Sequence, residues 1–260
     1  MVWNTRLMVK NQKVLALLSG GLDSSAMVGV LLHNHNEVET ISFDYGQRHS
    51  KELLAAKKVA EFFKVKNTVV DLSNLASILS RSSLTSDQAV PEGHYSQDNM
   101  KQTVVPNRNM IMLAIAGGYA LSNGIENVAF AAHVGDHAIY PDCRESFINA
   151  LDAALELCDY NRLNLLAPFA CYDKTLIASC AATVGLPLDM TWSCYKGGEN
   201  HCGRCGTCVE RLEAIHNAGI VDDPTVYDDA DYWRDVTENY AESKMSGAPD
   251  KSEGNLGGLL

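Results

Sequence analysis

The sequence predicts an α/β fold: a parallel sheet with helices on both faces, followed by a small C-terminal helical segment that binds metal. Three observations carry this. Short apolar strands alternate with helix-period segments over most of the chain. A Ser-Gly-Gly turn directly follows the first strand and opens the first helix. Four of the eight cysteines crowd into residues 194–208.

Residues 13–18 (Lys-Val-Leu-Ala-Leu-Leu) form the first strand and 23–34 the first helix. Residues 38–44 (Val-Glu-Thr-Ile-Ser-Phe-Asp) are the second strand. Over 50–64, Leu53, Leu54, Ala56, Val59, Ala60 and Phe63 recur at helical spacing. Residues 68–72 are the third strand. Residues 73–106 are polar and Ser-rich, with Pro91, Gly93 and Pro106, and read as short helices and a loop over a site. A helix with an Ala/Gly-rich, closely packable face covers 107–123. Residues 127–132 and 163–167 are the fourth and fifth strands, and 143–158 and 173–184 are helices. The segments are read as 13–190, a nucleotide-binding domain; 191–227, a metal-binding segment packed on it; and 228–260, a largely disordered tail whose end, from Gly247, is rich in Gly and Ser.

Composition excludes several classes. The chain has 260 residues, enough for a sizeable core. It is 46% hydrophobic and 20% charged, and no apolar run approaches the roughly 20 residues of a membrane span. The opening, Met1-Val2-Trp3-Asn4-Thr5-Arg6, has no apolar core of signal-peptide length. A net charge of −11 argues against direct nucleic-acid binding, which calls for a basic patch. Eight cysteines in such a chain point to a reducing, cytoplasmic compartment and to metal binding rather than disulfides.

The turn Leu18-Ser19-Gly20-Gly21-Leu22-Asp23-Ser24-Ser25 is suited to phosphate. A helix N-terminus offers unpaired N–H groups and a partial positive charge. Two glycines let the backbone approach an anion, and the serines add hydroxyls. The Gly-Lys-Ser/Thr ending of a Walker loop and the Gly-x-Gly-x-x-Gly dinucleotide fingerprint are both absent. The plain alternative is a capped strand-to-helix turn.

In a parallel sheet, ligands bind beyond the carboxyl ends of the strands. The runs there are Asp44-Tyr45-Gly46-Gln47-Arg48-His49, Val105-Pro106-Asn107-Arg108-Asn109, His133 to Arg144, Ala167-Pro168-Phe169, and Asp173-Lys174-Thr175. Each residue alone has a bland reading: Asp44 as a turn residue, Arg108 as a surface cation, Asp173 as a helix cap. Several such runs at one sheet edge point to a site.

The pattern Cys194-x7-Cys202-x2-Cys205-x2-Cys208 brings four thiolates into a tight turn. Four sulfurs suit tetrahedral zinc in a closed, structural site. His201 is a rival ligand, and an iron–sulfur cluster also takes four cysteines. The knuckle-like spacing and the lack of any need for electron transfer favour zinc. Cys158 and Cys180 read as core residues, Cys171 as a loop or core thiol.

Together these motifs resemble the QueC family, the 7-cyano-7-deazaguanine synthases among the PP-loop ATP pyrophosphatases. The matching runs are Ser19-Gly20-Gly21-Leu22-Asp23-Ser24, Phe43-Asp44-Tyr45-Gly46-Gln47-Arg48-His49, Val105 to Asn109, Tyr140-Pro141-Asp142-Cys143-Arg144, Thr191-Trp192-Ser193-Cys194-Tyr195, and Cys202-Gly203-x-Cys205-x-x-Cys208. The resemblance spans about residues 13–227 and departs from the family at Asn107, where glycine is expected. It implies a Rossmann-like fold of the adenine nucleotide alpha hydrolase type and a homodimer.

The implied reaction joins 7-carboxy-7-deazaguanine and ammonia. The carboxylate attacks the α-phosphate of ATP, ammonia displaces AMP to give the amide, and a second ATP activates the amide oxygen so that loss of AMP leaves the nitrile. Catalysis of this kind is mostly electrostatic. The implied ATP site is Leu18 to Ser25 with Lys174, Asp23 orienting the loop or Mg²⁺. The implied catalytic set is Asp23, Ser24, Lys174 and Arg108. Candidates for the deazaguanine are Tyr45, Gln47, Arg48, His49, Asn109, Asp136, Asp142 and Arg144, with Asp136 or Asp142 on the guanine-like edge. Zn²⁺ goes to Cys194, Cys202, Cys205 and Cys208. Three rivals remain: a tRNA-thiolating PP-loop enzyme, a QueC-like enzyme that conjugates the deazaguanine acyl group to a protein amine, and a catalytically silent module.

Overall fold

The computed structural model describes residues 9–47, 50–75, 78, 82–86 and 88–246. Five strands form one parallel sheet: β1 Lys13–Leu17, β2 Glu37–Asp44, β3 Asn67–Asp71, β4 Asn127–Ala129 and β5 Asn164–Leu166, in the order β3-β2-β1-β4-β5. Leu15 of β1 lies opposite Glu39 of β2 on one side and Val128 of β4 on the other. The chain therefore steps outward from β1 in both directions. The crevice beyond the carboxyl ends of β1 and β4 is the topological switch point, where such sheets hold ligands.

Alternation along β1 divides the core. Val14 and Ala16 join a core under α1 (Leu22–His33), α2 (Lys51–Phe63), α5 (Lys174–Thr183) and α6 (Gly206–Asn217), through residues such as Met27, Val59, Ile177 and Ile215. Leu15 joins the opposite core with α3 (Arg108–Ser122) and α4 (Glu145–Glu156), through Leu113, Ala116, Leu151 and Leu155. Gly29 lets α1 and α5 meet closely, because a Cβ there would come within 2.5 Å of Val184. Ala214 and Ile215 of α6 belong to the first core, so the cysteine-bearing segment packs directly on the sheet's helices.

The predicted strands and helices are all present, with the fourth and fifth strands shorter than expected. Pro141–Cys143 forms a separate 3-10 turn ahead of α4. Leu54, placed on the apolar face of α2 by spacing, is exposed; Ala55, Ala56, Val59 and Ala60 are the buried residues. Cys158 is exposed rather than core, because α4 ends before it, and Cys171 is also exposed.

The expectation of a disordered tail from 228 is corrected. Tyr232–Ser246 forms a helix, α7, packed on α6. Its anchor is the buried Trp233, whose ring lies 5.2 Å from that of His216. Arg204 fixes its start, lying 3.9 Å over the Tyr232 ring and 3.0 Å from Asp229. One buried aromatic in an otherwise polar helix leaves little periodic signal, which is why composition suggested disorder. Residues 247–260 lie outside the described residues. Among the described residues, no helix is long and apolar enough to cross a membrane.

Candidate active site and cysteine centre

A cavity of about 240 Å³ opens at the switch point. Leu18, Ser19, Gly21, Leu22, Asp23 and Ser24 line one side. Gly20 does not line it but makes the loop possible: its φ of 87° is left-handed, and a Cβ would strike the Glu52 carbonyl oxygen. Gly21 caps α1 with no side-chain hydrogen bond, so the first N–H groups of the helix remain for a ligand. The Ser19 and Ser24 hydroxyls lie 3.0 Å apart, and Ser24 donates to the Gly21 carbonyl at 3.2 Å. The hydroxyls thus hold the loop in shape. Ser25 is buried behind it with its hydroxyl unpartnered.

Opposite the loop stands Lys174. Asp173 caps α5 by accepting from the Leu176 N–H at 2.8 Å, which fixes the turn carrying the lysine. Lys174 Nζ lies 2.6 Å from Asp23 Oδ2 and 3.2 Å from Glu210 Oε2. Burial alone would lower the lysine's pKa, but Asp23 and Glu210 hold it raised. Burial would likewise raise Asp23, yet Lys174, with His133 beside it, brings it below its ordinary value. Burial wins at Glu210, which is raised. The lysine is therefore a fixed cation. Asp136 also lines the cavity; its Oδ1 accepts from the Tyr95 hydroxyl at 2.9 Å and its Oδ2 lies 3.5 Å from His133 Nε2.

The same cavity is also lined by Tyr45, Gln47, Glu52, Arg108, Asn109, Trp192 and Tyr195. Arg108 lies 5.9 Å from the Tyr45 ring centroid. It is no surface cation: it lines the cavity as the first residue of α3, directly after Asn107, which takes φ 60°. Asparagine tolerates that left-handed position, which explains how it stands where glycine was expected. Gln47 Oε1 accepts from the Tyr45 N–H at 2.9 Å. Asp44 accepts from the Gly46 N–H at 3.1 Å, its plain turn role.

Not every sequence candidate reaches the cavity. Asp142 accepts from the Asn109 backbone N–H at 3.1 Å and does not line it. Arg144 is exposed and donates to the His137 carbonyl at 2.9 Å. Arg48 and His49 lie outside the described residues. Glu52, Tyr95, Trp192, Tyr195 and Glu210 were not singled out as site residues. Glu210 had a legible signal, since it follows Cys208 by two on a helix the cysteines anchor.

The Sγ atoms of Cys194, Cys202, Cys205 and Cys208 lie within 4.8 Å of one another, and Cys194, Cys205 and Cys208 are fully buried. A tetrahedral Zn–S₄ shell with bonds of about 2.3 Å needs sulfurs about 3.8 Å apart, so the set fits a four-coordinate metal. The backbone N–H groups of Arg204 and Cys205 donate to Cys202 Sγ at 3.4 and 3.3 Å, favouring the thiolate. His201 is not in the cluster: its Nε2 accepts from the Ser193 N–H at 3.1 Å. The centre is tied to the phosphate loop by the Trp192 N–H, which donates to the Gly20 carbonyl at 2.8 Å. Arg211, fully buried, binds Thr191, Tyr227 and the Leu188 carbonyl at 2.7, 2.9 and 2.8 Å, and so holds the linking segment on α6.

Sheet order, phosphate loop and facing lysine define a PP-loop ATPase. The chain belongs to the family described as "Queuosine biosynthesis protein QueC", whose model matches residues 13–219. It is 51% identical over 228 residues to a 7-cyano-7-deazaguanine synthase of Brucella anthropi, covering 87% of this chain and 98% of that one. A synthase of the same name from Allorhizobium ampelinum is 50% identical over 230 residues, 88% of this chain and 97% of the other. Among solved structures, a 4-thiouridine synthetase in an RNA complex with bound ATP aligns with a TM-score of 0.48 at 14% identity, over 90% of this chain and 52% of that one.

Proposed function

We propose that this chain is an ATP-dependent ligase that converts 7-carboxy-7-deazaguanine and ammonia to 7-cyano-7-deazaguanine. The observation that carries the reading is the shared cavity: an uncapped helix N-terminus, Lys174, Arg108, Glu52 and several aromatic side chains all line one space. The close synthase relatives support the substrate.

The free N–H groups of α1 would take the β- and γ-phosphates of ATP. A carboxylate oxygen attacks the α-phosphorus, the bond to the β-phosphate oxygen breaks, and pyrophosphate leaves with its charge met by Lys174. Ammonia attacks the acyl carbon, loses a proton and expels AMP. The amide oxygen then repeats the attack on a second ATP, and loss of AMP and a proton leaves the nitrile. No covalent enzyme intermediate is needed. Asp23 Oδ1, buried and without a hydrogen-bond partner, is the atom fitted to hold Mg²⁺, which supplies positive charge to the phosphates. Zn²⁺ would sit in the four-cysteine shell as a structural ion.

Mass spectrometry of the product from pure protein, ATP, ammonium and the carboxylate tests the reading. Nitrile supports it. A deazaguanine mass left on a protein amine would favour the conjugating relative instead. We further propose a cytoplasmic homodimer with no direct nucleic-acid partner. Free exposed thiols at Cys158 and Cys171 and the net charge of −11 support compartment and partner; light scattering reads the dimer.

A further inference from the structure

The cavity has three acidic side chains, and two are engaged. Asp23 is paired with Lys174 at 2.6 Å, and Asp136 accepts from Tyr95 at 2.9 Å. The third is Glu52, in the first turn of α2. Among the described residues its carboxyl accepts no hydrogen bond and joins no ion pair. Arg108 lines the same cavity and acts on it only through space. Such a group is costly to bury unless a ligand completes it.

The walls around it say what kind of ligand. Phe43, Tyr45 and Tyr195 line the same cavity and give it the aromatic wall that suits a flat ring. A carboxylate presents two acceptors side by side and no donor. Its natural complement is a pair of parallel N–H groups, as on the ring-amide and exocyclic-amine edge of a 2-aminopyrimidinone. Adenine does not match, because its edge pairs one donor with one acceptor. Burial pushes the Glu52 carboxyl up to about 7, against the opposing pull of Arg108, as befits a carboxyl short of donors.

We infer that Glu52 is the residue that reads the guanine-like edge of the substrate, accepting from its ring N–H and its 2-amino group, in the place that sequence reasoning gave to Asp136 or Asp142. Arg108 is left free to donate to the neighbouring ring carbonyl oxygen or to the carboxylate. The inference rests on the proposed synthase reading, and it makes Glu52 a specificity residue rather than part of the phosphate chemistry.

The test compares 7-carboxy-7-deazaguanine with its 2-desamino analogue in AMP release by the wild-type protein, Glu52→Gln and Glu52→Asp. Wild type should prefer the 2-amino substrate about 10-fold or more in kcat/KM, since a lost bidentate partner is worth about 1–3 kcal/mol. Glu52→Gln turns one acceptor into a donor. It should raise KM for the 2-amino substrate by about 10-fold or more and abolish the preference, with KM for ATP and the melting temperature nearly unchanged. Glu52→Asp keeps both acceptors and should recover part of the preference. Three results would overturn the inference: equal losses with both substrates, a shift in KM for ATP instead, or a preference that survives Glu52→Gln. Failure of the wild-type protein to release AMP with either substrate would overturn the synthase reading, and the inference with it.

Discussion

The Lys174 ammonium and the Asp23 carboxylate, 151 residues apart in sequence, meet at 2.6 Å across the mouth of the phosphate loop. Asp23 is therefore not a free loop acid. Its side chain is 24% exposed, that of Lys174 14%, and Glu210 flanks the lysine on the other side. Replacing Asp23 with Ala should abolish AMP formation. Because Glu210 still neutralises Lys174, the stability cost should stay near about 1–2 kcal/mol. AMP and pyrophosphate release near the parent rate would show that the loop has been misassigned.

The same pair has a pH signature. The Asp23 carboxyl sits below its ordinary 3.8 when folded: burial works against this, and Lys174 and His133 overcome it. A depressed carboxyl adds stability above the unfolded value and loses it as pH falls through the folded one. The stability gap between the parent and Asp23→Asn should hold from pH 6 to 8 and narrow below about pH 4. Chemical denaturation across that range reads it. A gap that widens in acid would contradict the ion pair.

The sheet was legible because each strand is a compact apolar run and each helix carries its own period. Asp173 and the clustering of the four cysteines were legible because helix capping and a tight Cys-x-x-Cys turn depend on local spacing. Glu52 and Tyr195 were not: their place in the cavity comes from distant elements meeting there, which no local pattern records. Asp142 shows the converse: it sits in a chemistry-rich run, yet the Asn109 backbone N–H claims it and it does not line the cavity, whereas Asp136 of the same run does. Helix α7 was missed because its contacts are made with distant segments: Trp233 packs on the ring of His216 and Tyr240 stacks on His94.

Elemental analysis should find one zinc per chain. Changing any of Cys194, Cys202, Cys205 or Cys208 to Ser should lower zinc content and soluble yield together, because binding free energy at a structural site is also folding free energy. Activity should fall as well. The Trp192–Gly20 bond and Glu210 both depend on this segment, so loosening it releases the phosphate loop and Lys174 at once. Iron with visible absorbance, or full activity after complete metal removal, would refute the assignment.

Arg211 should be among the most sensitive positions outside the cavity. Its guanidinium is fully buried and divides its donors among Thr191, Ser193, Thr225, Tyr227 and the Leu188 carbonyl. Arg211→Met leaves those acceptors unsatisfied and should cost about 3 kcal/mol or more, roughly 6–12 °C in Tm. Arg211→Lys should rescue little, since a point ammonium cannot serve a planar fan of acceptors. A melting temperature within a degree or two of the parent would show that this bond set does not anchor the segment.

The order of the chemistry can be read from AMP. A carboxylate oxygen and an amide oxygen can occupy nearly the same position against an α-phosphorus, so a single phosphate loop and a single Lys174 can serve both activations. The chain should therefore accept 7-amido-7-deazaguanine with ATP and convert it to the nitrile without added ammonia. With the carboxylate as substrate, two AMP should appear per nitrile; with the amide, one. Lys174→Met should slow both half-reactions to a similar degree, because the same cation meets the departing pyrophosphate each time. Unequal losses, with the amide step surviving the substitution, would mean that the second activation uses different groups and would break the single-site scheme.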